Sequence, residues 1–147
     1  MPQTQVPSTL RFDDVKVGDE LPPYKHKAGY LELNRFAGAN EELIPIHMDP
    51  EASQRSGLPG VITMGNLKVA YVINMLEDWA GPDAWIRKLA VQFRGMDVVN
   101  QTLVARGVVT GKKVEDGENW VELDIWVENE DQGGRKNTPG TAVVILP

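Results

Sequence analysis

Between residues 61 and 79 the chain reads VITMGNLKVAYVINMLEDW, and from Val61 to Leu76 only Asn66, Lys68 and Asn74 are clearly polar. Val61, Ile62, Leu67, Val69, Ala70, Tyr71, Val72, Ile73, Met75 and Leu76 leave a helix no broad solvent face, and such a helix is buried on nearly all sides. The spacing therefore predicts a central helix over Gly65 to Leu76, which needs a partner that wraps around it. The second half of the chain supplies one. WIRKLAVQFRG, TLVARGVVTGKKV, NWVELDIWVENED and TAVVILP alternate β-branched and aromatic residues with others, and DGEN and GGRKNTPG read as the turns between them. Four antiparallel strands follow, giving an α+β domain with one buried helix on a curved antiparallel sheet.

The first half adds shorter pieces. PQTQVPSTLRFDDVKVGDELPPY is rich in Pro, Asp and Gly and reads as an extended arm that wraps over the body. Lys25 to Ala28 reads as a short strand, and YLELNRFAGAN as a short helix from Tyr30 that stops at Gly38. Asp49 and Pro50 match an N-cap followed by proline at the first helical position, so Asp49 to Ser56 is expected to be helical, stopped by Gly57, Pro59 and Gly60. No repeat or linker divides the chain, and 147 residues suit one domain, 1–147.

Composition excludes several classes. Apolar residues at 41% and charged residues at 24% are ordinary for a globular protein. Val69 to Leu76, the longest nearly apolar run, falls far short of the roughly 20 residues a membrane-spanning helix needs. The start MPQTQVPSTL has neither a basic lead nor an apolar signal core, and with no cysteine the expected compartment is the cytoplasm. A net charge of −6, from 15 Lys and Arg against 21 Asp and Glu, opposes general attraction to nucleic acid or to an anionic membrane. Arg87, Lys88, Arg94, Lys112 and Lys113 are either scattered solubilising charge or a local patch for the phosphates of a nucleotide-bearing substrate.

Chemistry gathers in EELIPIHMD, residues 41–49. Glu42 and His47, five positions apart, cannot share a helix face and meet only if the chain turns between them, which Pro45 favours. A carboxylate and an imidazole converging on one water can move its protons, as hydration or dehydration of a double bond requires. An imidazole with an ordinary pKa near 6.5 serves as base in one half-reaction and acid in the other. The alternatives are a hydrogen-bonded structural histidine beside a solvated acidic pair. A metal site is disfavoured because His47 and Asp49 supply only two ligands and His26 is remote. No G-x-S-x-G, GxGxxG or phosphate-loop pattern occurs, so neither a serine nucleophile nor a nucleotide cofactor is expected. TMGN, residues 63–66, opens the buried helix; its free N–H groups suit a developing enolate oxygen and Gly65 allows close approach, or else Gly65 merely permits tight packing.

The order of these features resembles the MaoC-like branch of the hot dog superfamily, the (R)-specific enoyl-CoA hydratases and 3-hydroxyacyl dehydratases. The resemblance runs through FDDVKVGDELP (12–22), FAGANEELIPIHMDPEAS (36–53), SGLPGVITMGNL (56–67) and VQFRGMDVVNQTL (91–103), which is most of the chain. It implies a hot dog fold, a curved antiparallel sheet wrapped around one long helix, and a hydro-lyase working on 2-enoyl-CoA or 3-hydroxyacyl-CoA thioesters of lipid metabolism without a cofactor. It further implies two such subunits joined edge to edge, as a homodimer or with another hot dog subunit. Residues of the family's catalytic loop G-D-x-N-P-I-H-x-D and helix start A-H-G fall on Glu42, Ile44, His47, Met64 and Gly65. On that footing Glu42, His47 and the Gly65 amide are catalytic, and Ile44, Met64, Asn66 and Arg94 contact substrate.

Three of these positions depart from the pattern: Glu42 replaces Asp, Ile44 replaces Asn, and Met64 replaces His. Glu moves the carboxylate by about one methylene, whereas Ile44 and Met64 are expected to make the pocket more apolar. An apolar pocket suits a bulky or steroid-derived acyl chain; it equally suits a non-catalytic subunit that binds the acyl tail while a partner performs the chemistry. Thioesterases share the superfamily, but the P-I-H-x-D loop points away from them.

Overall fold

The computed structural model describes residues 9–147. In chain order the elements are β1 (Tyr24–Lys27), α1 (Tyr30–Ala39), α2 (Pro50–Arg55), α3 (Gly65–Ala80), β2 (Trp85–Val91), β3 (Thr102–Glu115), β4 (Glu118–Asn129) and β5 (Arg135–Ile145). The strands form one antiparallel sheet in the order β1-β3-β4-β5-β2, curled around α3 as a hot dog fold. Register shifts at Ile86/Lys88, Val109/Gly111 and Val127/Glu128 are irregularities of the kind that bend and twist a sheet.

Helix α3 explains the rest of the packing. Leu67, Tyr71, Val72, Met75, Leu76 and Ala80 are buried against Leu103, Ala105, Val121, Leu123, Ile125 and Val127 of the sheet. The helix packs against Gly107, where an added Cβ would lie 3.3 Å from Met75 Cε and 3.2 Å from Leu21 Cδ2. It runs four residues past Leu76, because Ala80 continues the buried stripe, and it ends at Gly81, whose φ is +83°. No helix among the described residues is long and apolar enough to cross a membrane.

The described part of the arm wraps over the sheet as expected: Gly18 N–H donates to Val109 O and Leu21 N–H to Gly107 O, burying Val15 and Leu21. Residues 1–8 of that arm lie outside the described residues. The strand expected at Lys25 to Ala28 is present one residue earlier, at Tyr24–Lys27. The DGEN turn is also present, with Asp116 and Gly117 both at positive φ, as a two-residue hairpin turn with strand twist requires.

Two expectations need correction. Gly38 does not end α1, which continues to Ala39 and is capped by Asn40; the reversal follows at Glu41, with φ of +54°. GGRKNTPG is not a loop, because only Gly133 and Gly134 turn the chain and β5 already begins at Arg135. Pro139 misled the reading. It is tolerated in the sheet where β2 has ceased to flank β5, and on that side only its carbonyl is used, by Gln92 N–H at 2.9 Å.

Candidate active site

The segment after α1 is folded tightly by its own backbone. Asn40 N–H donates to Phe36 O and Glu42 N–H to Ala37 O, so Glu41 takes the left-handed position that closes a helix. Pro45–His47 then forms a 3₁₀ turn, and Asp49 caps α2 by accepting from Glu51 N–H at 2.9 Å. Ile46 O receives both Ile62 N–H and the Ser53 hydroxyl, which pins the turn to the strand-like segment ahead of α3.

This folding brings Glu42 and His47 together. His47 is buried, and its Nδ1 lies 2.7 Å from Ile62 O. A carbonyl only accepts, so Nδ1 carries the proton there and the neutral ring presents a bare Nε2. Nε2 lies 4.0 Å from Glu42 Oε1, too far for a direct hydrogen bond, and both residues line one open space. The other carboxylate oxygen, Oε2, accepts from Asn40 Nδ2 at 3.1 Å and Asn66 Nδ2 at 3.3 Å.

That space is a cleft of about 670 Å³, within the range typical of small-molecule sites. Gly65, the first residue of α3, lies on its wall, and Met64 provides no side-chain cap; Leu67 N–H turns back to Met64 O at 3.2 Å, whereas Gly65 and Asn66 N–H precede the first acceptor of the helix. A Cβ on Gly65 would sit 2.8 Å from Phe93 Cζ, so glycine is what lets the Phe93 ring lie against the helix start. Ile62, Phe93 and Met96 are the apolar lining; Lys68, Arg94 and Arg135 add positive charge.

The residues named from sequence thus divide. Glu42, His47, Gly65, Asn66 and Arg94 line one cleft, whereas Ile44 and Met64 do not. Met64 is 0% exposed and packs in the core, and Ile44 is 46% exposed. The expected effect of these two on the pocket's polarity is therefore not realised through direct lining. Of the five candidate basic residues only Arg94 reaches the cleft: Arg87 pairs with Glu118, Lys113 with Glu115 and Glu122, Lys88 lies over Trp120, and Lys112 donates to Phe12 O and Val15 O.

Sequence reasoning missed the frame behind the cleft. Lys68 Nζ is 2.8 Å from Asp97 Oδ2, with both side chains almost wholly buried. Asp97 Oδ1 accepts from Asn129 and Asn137, tying the loop that carries Phe93 and Met96 to α3, β4 and β5. The one available signal was Lys68 itself, a cation in an otherwise apolar helix face, which demands a buried anion. Among the described residues no three His, Asp or Glu side chains gather as a metal set.

Comparison with known proteins identifies the fold and the family. No curated protein matches the chain in sequence. Among solved structures it is similar to an (R)-hydratase from A. caviae involved in PHA biosynthesis, with 23% identity over 90% of this chain and 98% of that one and a TM-score of 0.82. The R-hydratase PhaJ1 from Pseudomonas aeruginosa matches with 19% identity over 95% of this chain and 86% of that one, TM-score 0.85. The ChsH1-ChsH2 complex from Mycobacterium tuberculosis matches with 21% identity over 90% and 99%, TM-score 0.79. These likenesses establish the hot dog fold. The family model for the MaoC like domain matches residues 10–130, and the chain belongs to the MaoC-like dehydratase family.

Proposed function

We propose that this chain, working as one MaoC-like unit, adds water to 2-enoyl-CoA thioesters or removes it from 3-hydroxyacyl-CoA thioesters. The observation that carries the reading is the convergence of His47 Nε2 and Glu42 Oε1, 4.0 Å apart, on a cleft walled by the start of α3. In the hydration direction His47 takes a proton from the attacking water and the hydroxide adds at C3. Glu42 orients that water and assists as His47 hands the same proton on to C2, which returns the imidazole to its neutral form. The Gly65 N–H meets the enolate oxygen that forms between the two steps, where a helix N-terminus favours negative charge. One H and one OH are added across the double bond.

The remaining lining supports a CoA thioester. Arg94 and Arg135 supply cations for phosphates, and Ile62, Phe93 and Met96 supply an apolar wall compatible with a bulky acyl chain. Among the described residues strand β2 pairs only with β5, and Phe93 and Met96 are 54% and 50% exposed beside the cleft. These features support a dimer, with itself or with another hot dog subunit, that joins sheets along this edge.

The test is turnover of a panel of short, long and polycyclic enoyl-CoA thioesters by the purified protein and by His47→Ala and Glu42→Gln. Loss of either group is expected to lower kcat about 10²- to 10⁴-fold. Undetectable turnover by a folded parent protein contradicts the reading. The departures at Ile44 and Met64 and the likeness to a two-component complex favour a second reading, a non-catalytic acyl-binding subunit. That reading predicts an inert isolated chain and a complex whose activity survives His47→Ala.

A further inference from the structure

Glu42 presents its two oxygens unequally. Oε2 accepts from two carboxamides, Asn40 Nδ2 at 3.1 Å and Asn66 Nδ2 at 3.3 Å, while Oε1 faces His47 Nε2. Asn40 is the C-cap of α1, two residues before Glu42. Asn66 is different in kind, because it lies 24 residues further along the chain and belongs to the first turn of α3, next to Gly65. Glu has one more rotatable bond than Asp. Without restraint its carboxylate would spread over several staggered rotamers, only some of which direct an oxygen at His47. Two donors on the same oxygen select among them and leave the other oxygen free.

We propose that Asn66 is a positioning residue for Glu42. Asn66 holds the longer carboxylate in register with His47, and it does so from the same helical turn that offers Gly65 N–H to the thioester. The orientation of the acid and the position of the carbonyl donor are thereby set by one rigid element. This assignment rests on the hydratase reading of the Glu42–His47 pair, and it moves Asn66 from contacting substrate to acting through Glu42.

The test uses the full chain with Asn66→Ala, Asn66→Asp and Asn66→Gln, each followed by thermal melting, steady-state kinetics and a crystal structure. Asn66→Asp discriminates best. An acidic side chain in the first turn of a helix complements the dipole, so the melting temperature is expected to hold or rise. It has no amide to donate and repels Glu42, so kcat is expected to fall about 10- to 100-fold with KM within about twofold. Asn66→Gln retains an amide and is expected to recover part of that loss. In the crystals of the Ala and Asp variants, Glu42 Oε1 leaves the vicinity of His47 Nε2.

The proposal is overturned if Glu42 keeps its position in those crystals. It is also overturned if kcat is unchanged in the Ala and Asp variants, or if only KM moves, which marks direct substrate contact. A parent protein that turns over no thioester removes the hydratase reading alone, and the position of Glu42 in the variants then decides the role of Asn66.

Discussion

Asp97 accepts from Lys68, Asn129 and Asn137 while lying almost wholly out of solvent, and its own carbonyl receives Thr63 N–H at 2.7 Å. Removing one partner of such a pair strands the other as an uncompensated buried charge, which costs about 3–5 kcal/mol. Asp97→Ala is therefore expected to lower the melting temperature by on the order of 10 °C in thermal circular dichroism. The apolar pair Lys68→Met with Asp97→Leu is expected to recover part of that loss. Glu128 gives a pH signature. Burial pushes its carboxyl up, but hydrogen bonds from Trp126 and Arg106 and the charges of Arg106 and Lys136 outweigh this and hold it below the ordinary 4.5. The unfolded chain then binds the proton more readily, so the stabilisation is present above the unfolded value and is lost as pH falls through the folded one. The stability gap between the parent and Glu128→Gln, measured by urea unfolding, is expected to be largest near neutrality and to close on acidification below pH 4.5.

Helices and strands whose signals are local could be read in advance. Asp49-Pro50 starts α2, Asp116-Gly117 turns a hairpin, and the apolar run after Gly65 forms α3. Asp49→Ala removes a backbone-satisfying cap and is expected to cost about 1 kcal/mol in chemical denaturation. The Glu42–His47 pair was readable for the same reason, since six residues with one proline turn contain it. The start of β5 was not, because pairing with β4 overrides the turn preference of a segment containing Pro and Gly. Nor was the frame of the cleft, in which Lys68 meets Asp97 across 29 residues and Asp97 meets Asn137 across 40. Helix α1 is likewise fixed from afar. Tyr71 of α3 donates to Glu32 at 3.0 Å, and burial, reinforced by the Glu32 charge, pushes the phenol above its ordinary range so that it remains a donor.

The curled sheet, the long helix α3 and the loop after α1 together place a carboxylate, an imidazole and the first residues of α3 around one cleft. The carboxylate and the imidazole come from one loop, and α3 meets that loop where Asn66 donates to Glu42. A crystal structure of the Glu42→Gln protein with an enoyl-CoA thioester shows whether that arrangement is a site for this chemistry. The expected complex has the thioester oxygen within hydrogen-bond distance of Gly65 N–H, C3 facing His47 Nε2, and the phosphates near Arg94 and Arg135. A thioester bound away from this cleft, or one whose carbonyl turns from the start of α3, contradicts the account.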